Sequence, residues 1–337
     1  MSEVAVLGAG AWGTCLAGLL HAKGCDVSLW ARRPEQVEAI RRDGENRRYL
    51  PGCPVPAALP ITTDRLAASR GARALVFAVP SQCLRETARA AAAAAPPDAV
   101  LVSAVKGIEE GSLSRMTEVL AEEMGGARTG AADRLVALAG PSHAEEVARA
   151  QPTAIVAASR SVPAAQTVRD LFSTETFRIY TSDDVAGVEL AVSLKNVIAI
   201  AAGICDALGL GDNTRGALLS RGLAEITRLG TAMGARERTF WGLAGLGDLV
   251  TTAVSRHSRN RRVGEEVGRG KPLSEVLDGL QMIAEGVPTT RCAVRLAERH
   301  GVDVPITREV HAVLFEGRDP RQAITQLMAR NPKEEGA

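Results

Sequence analysis

The glycine-rich turn at residues 8–13, with the pattern G-x-G-x-x-G, constrains the fold more than any other feature of this sequence. An apolar run at 4–7, typical of a buried strand, precedes it, and apolar residues at helical spacing follow it. In such a unit Gly8 makes the tight turn, Gly10 lets the backbone approach a pyrophosphate, and Gly13 lets helix pack on strand. The helix N-terminus adds N–H groups and a positive dipole end. The turn therefore predicts a dinucleotide site; a glycine turn without a ligand is the alternative.

Strand patterns alternate with helix patterns at first, and only helix patterns follow residue 185. Strands are predicted at 4–7, 25–30, 61–62, 74–79, 99–105, 135–139, 154–158 and 177–180, and helices at 14–23, 35–42, 85–95, 113–124, 143–150, 162–172, 185–208, 214–233, 236–244, 259–268, 273–280, 289–300, 305–315 and 320–328. This order predicts an α/β fold, with an N-terminal Rossmann-type, doubly wound parallel sheet and an all-α C-terminal domain. The predicted domains are 1–184 for the dinucleotide and 185–330 for substrate and catalysis, with a tail at 331–337.

Composition and charge exclude several classes of function. A net charge of +1 and an aromatic content of 3% leave no basic footprint for nucleic acid or an anionic membrane and few rings for base stacking. The six cysteines are scattered, so we expect neither disulfides nor a metal site. The apolar stretch 185–207 contains Glu189, Lys195 and Asp206, which argues against membrane insertion. No signal-peptide pattern is present, and we expect a cytoplasmic protein.

Three further motifs follow predicted strands, which is where ligands bind in an open parallel sheet. They are Pro80-Ser81-Gln82, Lys106-Gly107 and Gly140-Pro141-Ser142. Lys106 could hold a substrate phosphate or carbonyl oxygen, or be a solvated loop cation. Gly140 and Ser142 offer close backbone approach and a hydroxyl, or mark only the start of a helix.

Arg32 and Arg33 follow the second predicted strand, where an NAD-specific fold usually carries an acidic residue. A carboxylate there accepts hydrogen bonds from the ribose 2′-OH, whereas arginines pair with a 2′-phosphate. The pair therefore predicts a preference for NADP over NAD. Two surface arginines on a loop are the alternative.

Lys195 is the most informative single residue, because only five of the 40 basic residues are lysines. On a helix, its neighbours three and four positions away are all apolar: Ala191, Val192, Ile198 and Ala199. Burial disfavours the ammonium form and lowers its pKa, which favours a general acid/base near neutral pH. A paired structural lysine, or one whose amine reaches solvent, is the alternative. Asn196 could orient an oxygen or a water.

Two later segments carry candidate substrate groups. Asp248, in the glycine-punctuated turn 242–249, could tune Lys195, bind a hydroxyl, or cap the next helix. An N-capping serine and three arginines at 258–262 suit a phosphate monoester, or form a solvated basic turn. His143 follows the motif at 140–142, and it lacks a clear acidic partner in the sequence.

Seven motifs occur together and in order. They are Gly-Ala-Gly-Ala-Trp-Gly-Thr at 8–14, Val-Pro-Ser at 79–81, Val-Lys-Gly at 105–107, Gly-Pro-Ser at 140–142, Leu-Lys-Asn-Val-Ile-Ala at 194–199, Gly-Leu-Gly-Asp-Leu at 245–249 and Ser-Arg-Asn at 258–260. Through them the chain closely resembles the bacterial NAD(P)-dependent glycerol-3-phosphate dehydrogenases as far as about Ile324. The resemblance implies interconversion of dihydroxyacetone phosphate and sn-glycerol 3-phosphate, the backbone of phospholipids. We further expect a helical domain similar to that of 6-phosphogluconate dehydrogenase, and a homodimer.

The resemblance also implies residue roles, with Lys195 as proton donor/acceptor for a hydride transfer from the nicotinamide to the ketone carbon. Expected at the substrate are Lys106, Gly140, Ser142, Lys195, Asp248, Ser258, Arg259 and Asn260. Expected at the cofactor are Gly8, Gly10, Ala11, Trp12, Gly13, Arg32, Arg33, Tyr49, Lys106, Ala144, Arg259, Ile283 and Glu285. Ala11 and Gln82 depart from the family, which commonly has serine and histidine there.

Two other functions share parts of this pattern. A 3-hydroxyacid or 6-phosphogluconate-type dehydrogenase has the same sheet-plus-helices plan and a helix lysine, and a substrate assay separates it. A non-catalytic dinucleotide-binding redox sensor would bind the cofactor without oxidising it, and the surroundings of Lys195 argue against it.

Overall fold

The computed structural model describes residues 3–125, 131–331 and 334. Most of the predicted tail 331–337 lies outside them. Contacts divide the chain into two compact units, Met1–Lys106 with Ser114–Val185, and Gly107–Leu113 with Ala186–Ala337. The predicted domains differ from these units at two places, because Val185 belongs to the first unit and Gly107–Leu113 groups with the second.

The first unit is built on an eight-stranded sheet with strand order β3-β2-β1-β4-β5-β6-β7-β8. The strands are β1 Val4–Leu7, β2 Val27–Trp30, β3 Ile61–Thr62, β4 Ala74–Phe77, β5 Val100–Ser103, β6 Leu135–Ala139, β7 Thr153–Ala158 and β8 Phe177–Ser182. The helices are α1 Ala11–Ala22, α2 Pro34–Asp43, α3 Arg65–Ser69, α4 Leu84–Ala92, α5 Met116–Gly125, α6 Ala144–Val147 and α7 Val162–Phe172.

Helices cover both faces of this sheet because its strands are apolar on both sides. In β1, Val4 and Val6 belong to one buried cluster, which includes side chains of α1, α2 and α7. Ala5 and Leu7 belong to the other, which includes side chains of α3, α4 and α5. A continuous apolar run suits a strand buried on both faces, so the doubly wound architecture is as predicted.

The sheet differs from an all-parallel one at its last two strands. β1 to β6 pair in parallel, β7 runs antiparallel to β6, and β8 is parallel to β7. A parallel connection usually needs a crossover helix of some length. The connection at 140–152 contains only the single turn α6, and the chain re-enters the sheet in the opposite direction. Helix α3 was not predicted, whereas α7 begins and ends as predicted.

All regular elements among the described residues of the second unit are helical. They are α8 Val185–Ala207, α9 Asp212–Ala232, α10 Glu237–Phe240, a π-helical turn Leu243–Gly247, α11 Asp248–Val254, α12 Arg259–Gly268, α13 Leu273–Asp278, α14 Gly286–His300, α15 Pro305–Phe315 and α16 Pro320–Met328. A helix was predicted at 236–244, but the observed helix α10 ends at Phe240 and the π-helical turn follows it.

Helix α8 is the central element of this unit. Among the described residues it is the one helix long and apolar enough to cross a membrane, with a mean hydropathy of 1.7, but 94% of that window is buried in the protein. Helix α12 packs backbone to backbone against it. A Cβ at Gly203 would lie 1.9 Å from the Arg261 carbonyl oxygen, and one at Gly264 would lie 2.0 Å from that of Ile200. Glycine is therefore required at this crossing.

Side chains of α8 and α14 hold the segment Gly107–Leu113 in the second unit. The Ser193 hydroxyl donates to the Gly107 carbonyl oxygen at 3.1 Å, and the Arg295 guanidinium donates to that of Glu110 at 2.7 Å. These contacts join residues far apart in sequence. A boundary drawn from strand and helix patterns could not include them.

Candidate functional site

The glycine turn connects β1 to α1 in a conformation that only glycines allow. Gly8 has φ +122°, and a Cβ there would lie 2.6 Å from the Ala78 carbonyl oxygen. A Cβ at Gly13 would lie 1.8 Å from the Gly8 carbonyl oxygen. At Gly10, in contrast, no described atom other than those of its chain neighbours lies within 4 Å of the Cβ position. Two glycines therefore close the turn, and the middle one leaves the space that a pyrophosphate needs.

The two arginines predicted to read the ribose lie at the end of β2. Arg32 is exposed, whereas Arg33 is half-buried and forms the N-cap of α2. The Arg33 guanidinium donates to the Tyr49 hydroxyl at 2.6 Å. Tyr49 lies in the loop after α2. Both residues were expected at the cofactor, and the Tyr49 hydroxyl orients the Arg33 guanidinium. A guanidinium fixed in this way can pair with a phosphate in two-point geometry.

Lys106 and the motif after β6 come together in the first unit. The Lys106 amine donates to the Gly140 carbonyl oxygen at 2.7 Å, and the Ser142 hydroxyl donates to the same oxygen at 3.0 Å. Gly140 has φ +148°, and a Cβ there would lie 3.0 Å from the Ile155 Cα. Lys106 is half-buried and hydrogen-bonded, so it is not a solvated loop cation.

Two other residues expected at the cofactor lie on the helices of this unit. Trp12, in the first turn of α1, packs edge-on against Phe177 with ring centroids 6.2 Å apart. Ala144 begins α6 and is buried. The departure at Gln82 has a local partner, because its amide donates to the Ser81 hydroxyl at 3.1 Å.

In the second unit, Lys195 is buried and paired. Its side chain is 4% exposed, that of Asp248 is 2% exposed, and the amine lies 3.2 Å from the Asp248 Oδ1. The amine also donates to the Thr252 hydroxyl, which lies 3.2 Å from the same carboxylate oxygen. The structure thus shows a paired lysine whose amine does not reach solvent; the predicted role as general acid/base stays a prediction. The carboxylate favours the charged amine, which opposes the effect of burial.

The turn before α11 places the carboxylate. Residues 243–247 form a π-helical turn, and a Cβ at Gly245 would lie 2.0 Å from the Phe240 carbonyl oxygen. Asp248 then begins α11, and Thr252 lies one turn later on the same face. Thr252 was not predicted from the sequence, although its spacing of four from Asp248 places the two side chains on one helix face.

A buried hydrogen-bond network of amide groups includes Asn196, the residue after Lys195. The Asn260 amide donates to the Asn196 side-chain oxygen at 2.8 Å, and the Gly286 N–H donates to the Asn260 side-chain oxygen at 2.8 Å. Ser258 caps α12 by accepting from the Arg261 N–H. Asn196 follows Lys195 on α8, so α8, α12 and the start of α14 meet at one place.

Arg259 lies at the exposed edge of this cluster. Its guanidinium donates to the Ile283 carbonyl oxygen at 3.0 Å, and Ile283 is 49% exposed. Glu285 is half-buried and occupies the N-cap position of α14. The second unit thus brings together Lys195 with Asp248, and Arg259 with Ile283, among the predicted residues. The first unit brings together Arg33 with Tyr49, and Lys106 with Gly140 and Ser142.

Comparison with known proteins places this arrangement in a family. Residues 3–165 match the family described as NAD-dependent glycerol-3-phosphate dehydrogenase N-terminus, and residues 184–325 match the corresponding C-terminus. The chain belongs to the NAD-dependent glycerol-3-phosphate dehydrogenase family. The predicted family and fold class are confirmed.

Individual relatives cover nearly the whole chain. Glycerol-3-phosphate dehydrogenase [NAD(P)+] of Pelotomaculum thermopropionicum is 53% identical over 99% of this chain and 95% of its own length. The protein of the same name from Chlorobium luteolum is 50% identical over 99% of both. A crystal structure of glycerol-3-phosphate dehydrogenase from Coxiella burnetii superposes with a TM-score of 0.91 at 37% identity, covering 98% of this chain and 99% of that one.

Proposed function

We propose that this protein catalyses reversible hydride transfer between NAD(P)H and dihydroxyacetone phosphate, giving sn-glycerol 3-phosphate for phospholipid synthesis. The main support is the full-length similarity to proteins named glycerol-3-phosphate dehydrogenase, one of which is 53% identical over 99% of the chain. The described side chains fit this chemistry. The Arg33 guanidinium is held by Tyr49, and the Lys195 amine is buried. The glycine turn also leaves open space at Gly10.

The residues of the first unit fit a nicotinamide dinucleotide, which supplies or accepts the hydride when bound. Gly8, Gly10 and Gly13, with Ala11 and Trp12 at the start of α1, would hold the pyrophosphate. The N–H groups of a helix N-terminus favour such an anion. Arg32, Arg33 and Tyr49 would hold the ribose end, and Ala144 is also assigned to the cofactor. In the second unit, the residues assigned to the cofactor are Arg259, Ile283 and Glu285.

Lys195 is the proton donor and acceptor of this proposal. In the direction of reduction, the developing alkoxide takes a proton from the Lys195 ammonium, and the reverse reaction returns it. Asp248 keeps the amine charged before the transfer, since a carboxylate 3.2 Å away favours the ammonium. Because the pair is buried, its field acts at low local dielectric, where positioned charges stabilise a transition state strongly.

The remaining residues of the proposal are assigned to substrate binding. Ser258, Arg259 and Asn260 lie at the start of α12, where the helix dipole and a guanidinium favour a phosphate. Lys106, Gly140 and Ser142 supply an amine, an open backbone and a hydroxyl. By the same proposal, Lys195 and Asp248 also belong to the residues that would bind dihydroxyacetone phosphate or sn-glycerol 3-phosphate.

Preference for NADP over NAD is part of the proposal. It is supported by Arg32 and Arg33 at the end of β2, where no acidic residue is present to bind the ribose 2′-OH, and by the bond from Arg33 to Tyr49.

We also propose a cytoplasmic homodimer. The exposed apolar side chains Trp241, Leu246 and Val250 support an association surface, and light scattering of the purified protein tests it.

Substitution of the lysine tests the chemical role. Lys195→Ala should abolish NADPH oxidation with dihydroxyacetone phosphate and leave the Kd for NADPH unchanged. Lys271→Ala is the matched control, because Lys271 is an exposed lysine of the same unit that pairs with Glu266. It should retain full activity. A Lys195→Ala enzyme with wild-type turnover would refute the assigned role.

A further inference from the structure

Two side-chain amides hold one carbonyl group of the glycine turn. The Asn46 Nδ2 donates to the Ala9 carbonyl oxygen at 3.0 Å and to the Thr14 hydroxyl at 2.8 Å. The Gln36 amide, on α2, donates to the same Ala9 oxygen. Asn46 is 1% exposed, so both of its bonds are made without competition from water.

The orientation of the Ala9 carbonyl determines the direction of the next N–H. In a trans peptide the C=O and N–H groups point in opposite directions, and none of the described peptide bonds is cis. Holding the Ala9 oxygen toward Asn46 therefore turns the Gly10 N–H away from Asn46. Gly10 is the extended N-cap of α1 and has open space at its Cβ position. An anion at the helix N-terminus needs this orientation.

Asn46 also begins the turn that carries Tyr49. Its carbonyl oxygen accepts from the Tyr49 N–H at 3.1 Å and from the Leu50 N–H at 2.7 Å. Tyr49 in turn accepts from Arg33 at 2.6 Å. One buried residue thus connects the glycine turn to the tyrosine that orients the arginine at the end of β2.

We propose that Asn46 is a positioning residue for the nicotinamide dinucleotide. Its side chain holds the glycine turn in the conformation that receives the pyrophosphate, and Gln36 assists at the same carbonyl. Because the pyrophosphate is common to NADPH and NADH, the side chain of Asn46 acts on both cofactors, whereas the Tyr49 hydroxyl acts on NADPH. This inference rests on the proposed function for the identity of the ligand.

Three variants test it, with the Kd for NADPH and for NADH measured by calorimetry in the absence of dihydroxyacetone phosphate. Asn46→Asp keeps the shape but sets a carboxylate oxygen against the Ala9 oxygen. It should raise both Kd values by about ten- to hundred-fold, because the bond to Ala9 is lost and two oxygens then oppose each other, although the Thr14 hydroxyl can still donate to the carboxylate. Gln36→Leu should raise both by a smaller factor. Tyr49→Phe should raise the Kd for NADPH alone.

Kinetics separate positioning from a general loss of structure. At saturating NADPH, Asn46→Asp should keep its kcat within about twofold of wild type and its KM for dihydroxyacetone phosphate, because only cofactor binding is weakened. The control is Ser159→Ala, which removes another buried side-chain bond to a backbone oxygen of this sheet and should keep both Kd values.

Unchanged Kd values in Asn46→Asp and Gln36→Leu would overturn the proposal, as would a loss confined to NADPH or a parallel fall of kcat. If Asn46→Asp does not fold, an unchanged Kd in Gln36→Leu overturns it. Failure of the proposed function is a distinct result: wild-type protein would bind NADPH but not oxidise it with dihydroxyacetone phosphate.

Discussion

Replacing Asp248 by asparagine removes the charge that compensates Lys195 and keeps the side-chain shape. The pair is 3.2 Å apart with side chains 4% and 2% exposed, so solvent cannot replace the lost carboxylate. Removing one partner of a buried pair costs about 3–5 kcal/mol, because an uncompensated charge stays buried. The asparagine oxygen can still accept from the lysine amine. We therefore expect a cost near the lower end, about 3 kcal/mol.

Native-state hydrogen exchange of the α8 amides measures this cost locally. Exchange through opening of the second unit should accelerate by about a hundred-fold in Asp248→Asn, since each 1.4 kcal/mol is about a factor of ten. Asp212→Asn is the matched control. Asp212 pairs with Arg215 at 2.9 Å in the same unit, but its side chain is 96% exposed, and we expect no measurable change.

The double variant Lys195→Met/Asp248→Asn provides the second arm. Without the ammonium no charge is left uncompensated, so the double variant should regain most of the lost stability. A compensating role of the Asp248 charge is refuted if Asp248→Asn exchanges no faster than Asp212→Asn. It is equally refuted if the double variant loses the sum of the two single costs.

Three further predictions concern other groups. Arg33→Asp should shift the ratio of kcat/KM values from NADPH toward NADH, and an unchanged ratio would remove the specificity argument. Burial raises the pKa of Glu225, which accepts from Ile306 and Thr307, above its ordinary 4.5. The contribution of Glu225 to the free energy of unfolding is therefore full below pH 4.5 and is lost as pH rises through the raised pKa. Glu225→Gln should flatten the slope of the free energy of unfolding against pH above pH 4.5 by up to about 1.4 kcal/mol per pH unit, and slopes equal to those of the wild type would contradict this. Burial raises the pKa of Cys15 and of Cys292 to about 12, so neither should be alkylated in native protein at pH 8, and peptide mass spectrometry would detect any label.

The sequence predicts the local parts of this molecule well, because they depend on neighbouring residues. The strand Val4–Leu7, the glycine turn and the helix Val162–Phe172 follow from periodicity and from glycine stereochemistry. The chain direction of β7 depends instead on how residues 140–152 leave and re-enter the sheet, and no local pattern encodes it.

The candidate site divides in the same way. An apolar helix face predicts that Lys195 is buried, and it is 3% exposed. Its partner lies 53 positions later, behind a π-helical turn that requires Gly245, so the pairing needed the folded structure. Asn46 lies in a proline-rich loop, and its contact with Ala9 spans 37 positions. Long-range polar contacts of this kind leave no periodic signal in the sequence.

The proposed reaction can be tested by one assay of cofactor turnover. NADPH and NADH oxidation would be followed at saturating dihydroxyacetone phosphate and the product identified. In parallel, NADP+ and NAD+ reduction would be followed with 3-hydroxyacids and 6-phosphogluconate-type substrates. We predict that sn-glycerol 3-phosphate forms in a one-to-one ratio with oxidised cofactor, and that NADPH is preferred. Cofactor reduction by a hydroxyacid-type substrate without turnover of dihydroxyacetone phosphate, or cofactor binding without turnover of any substrate, would contradict this assignment.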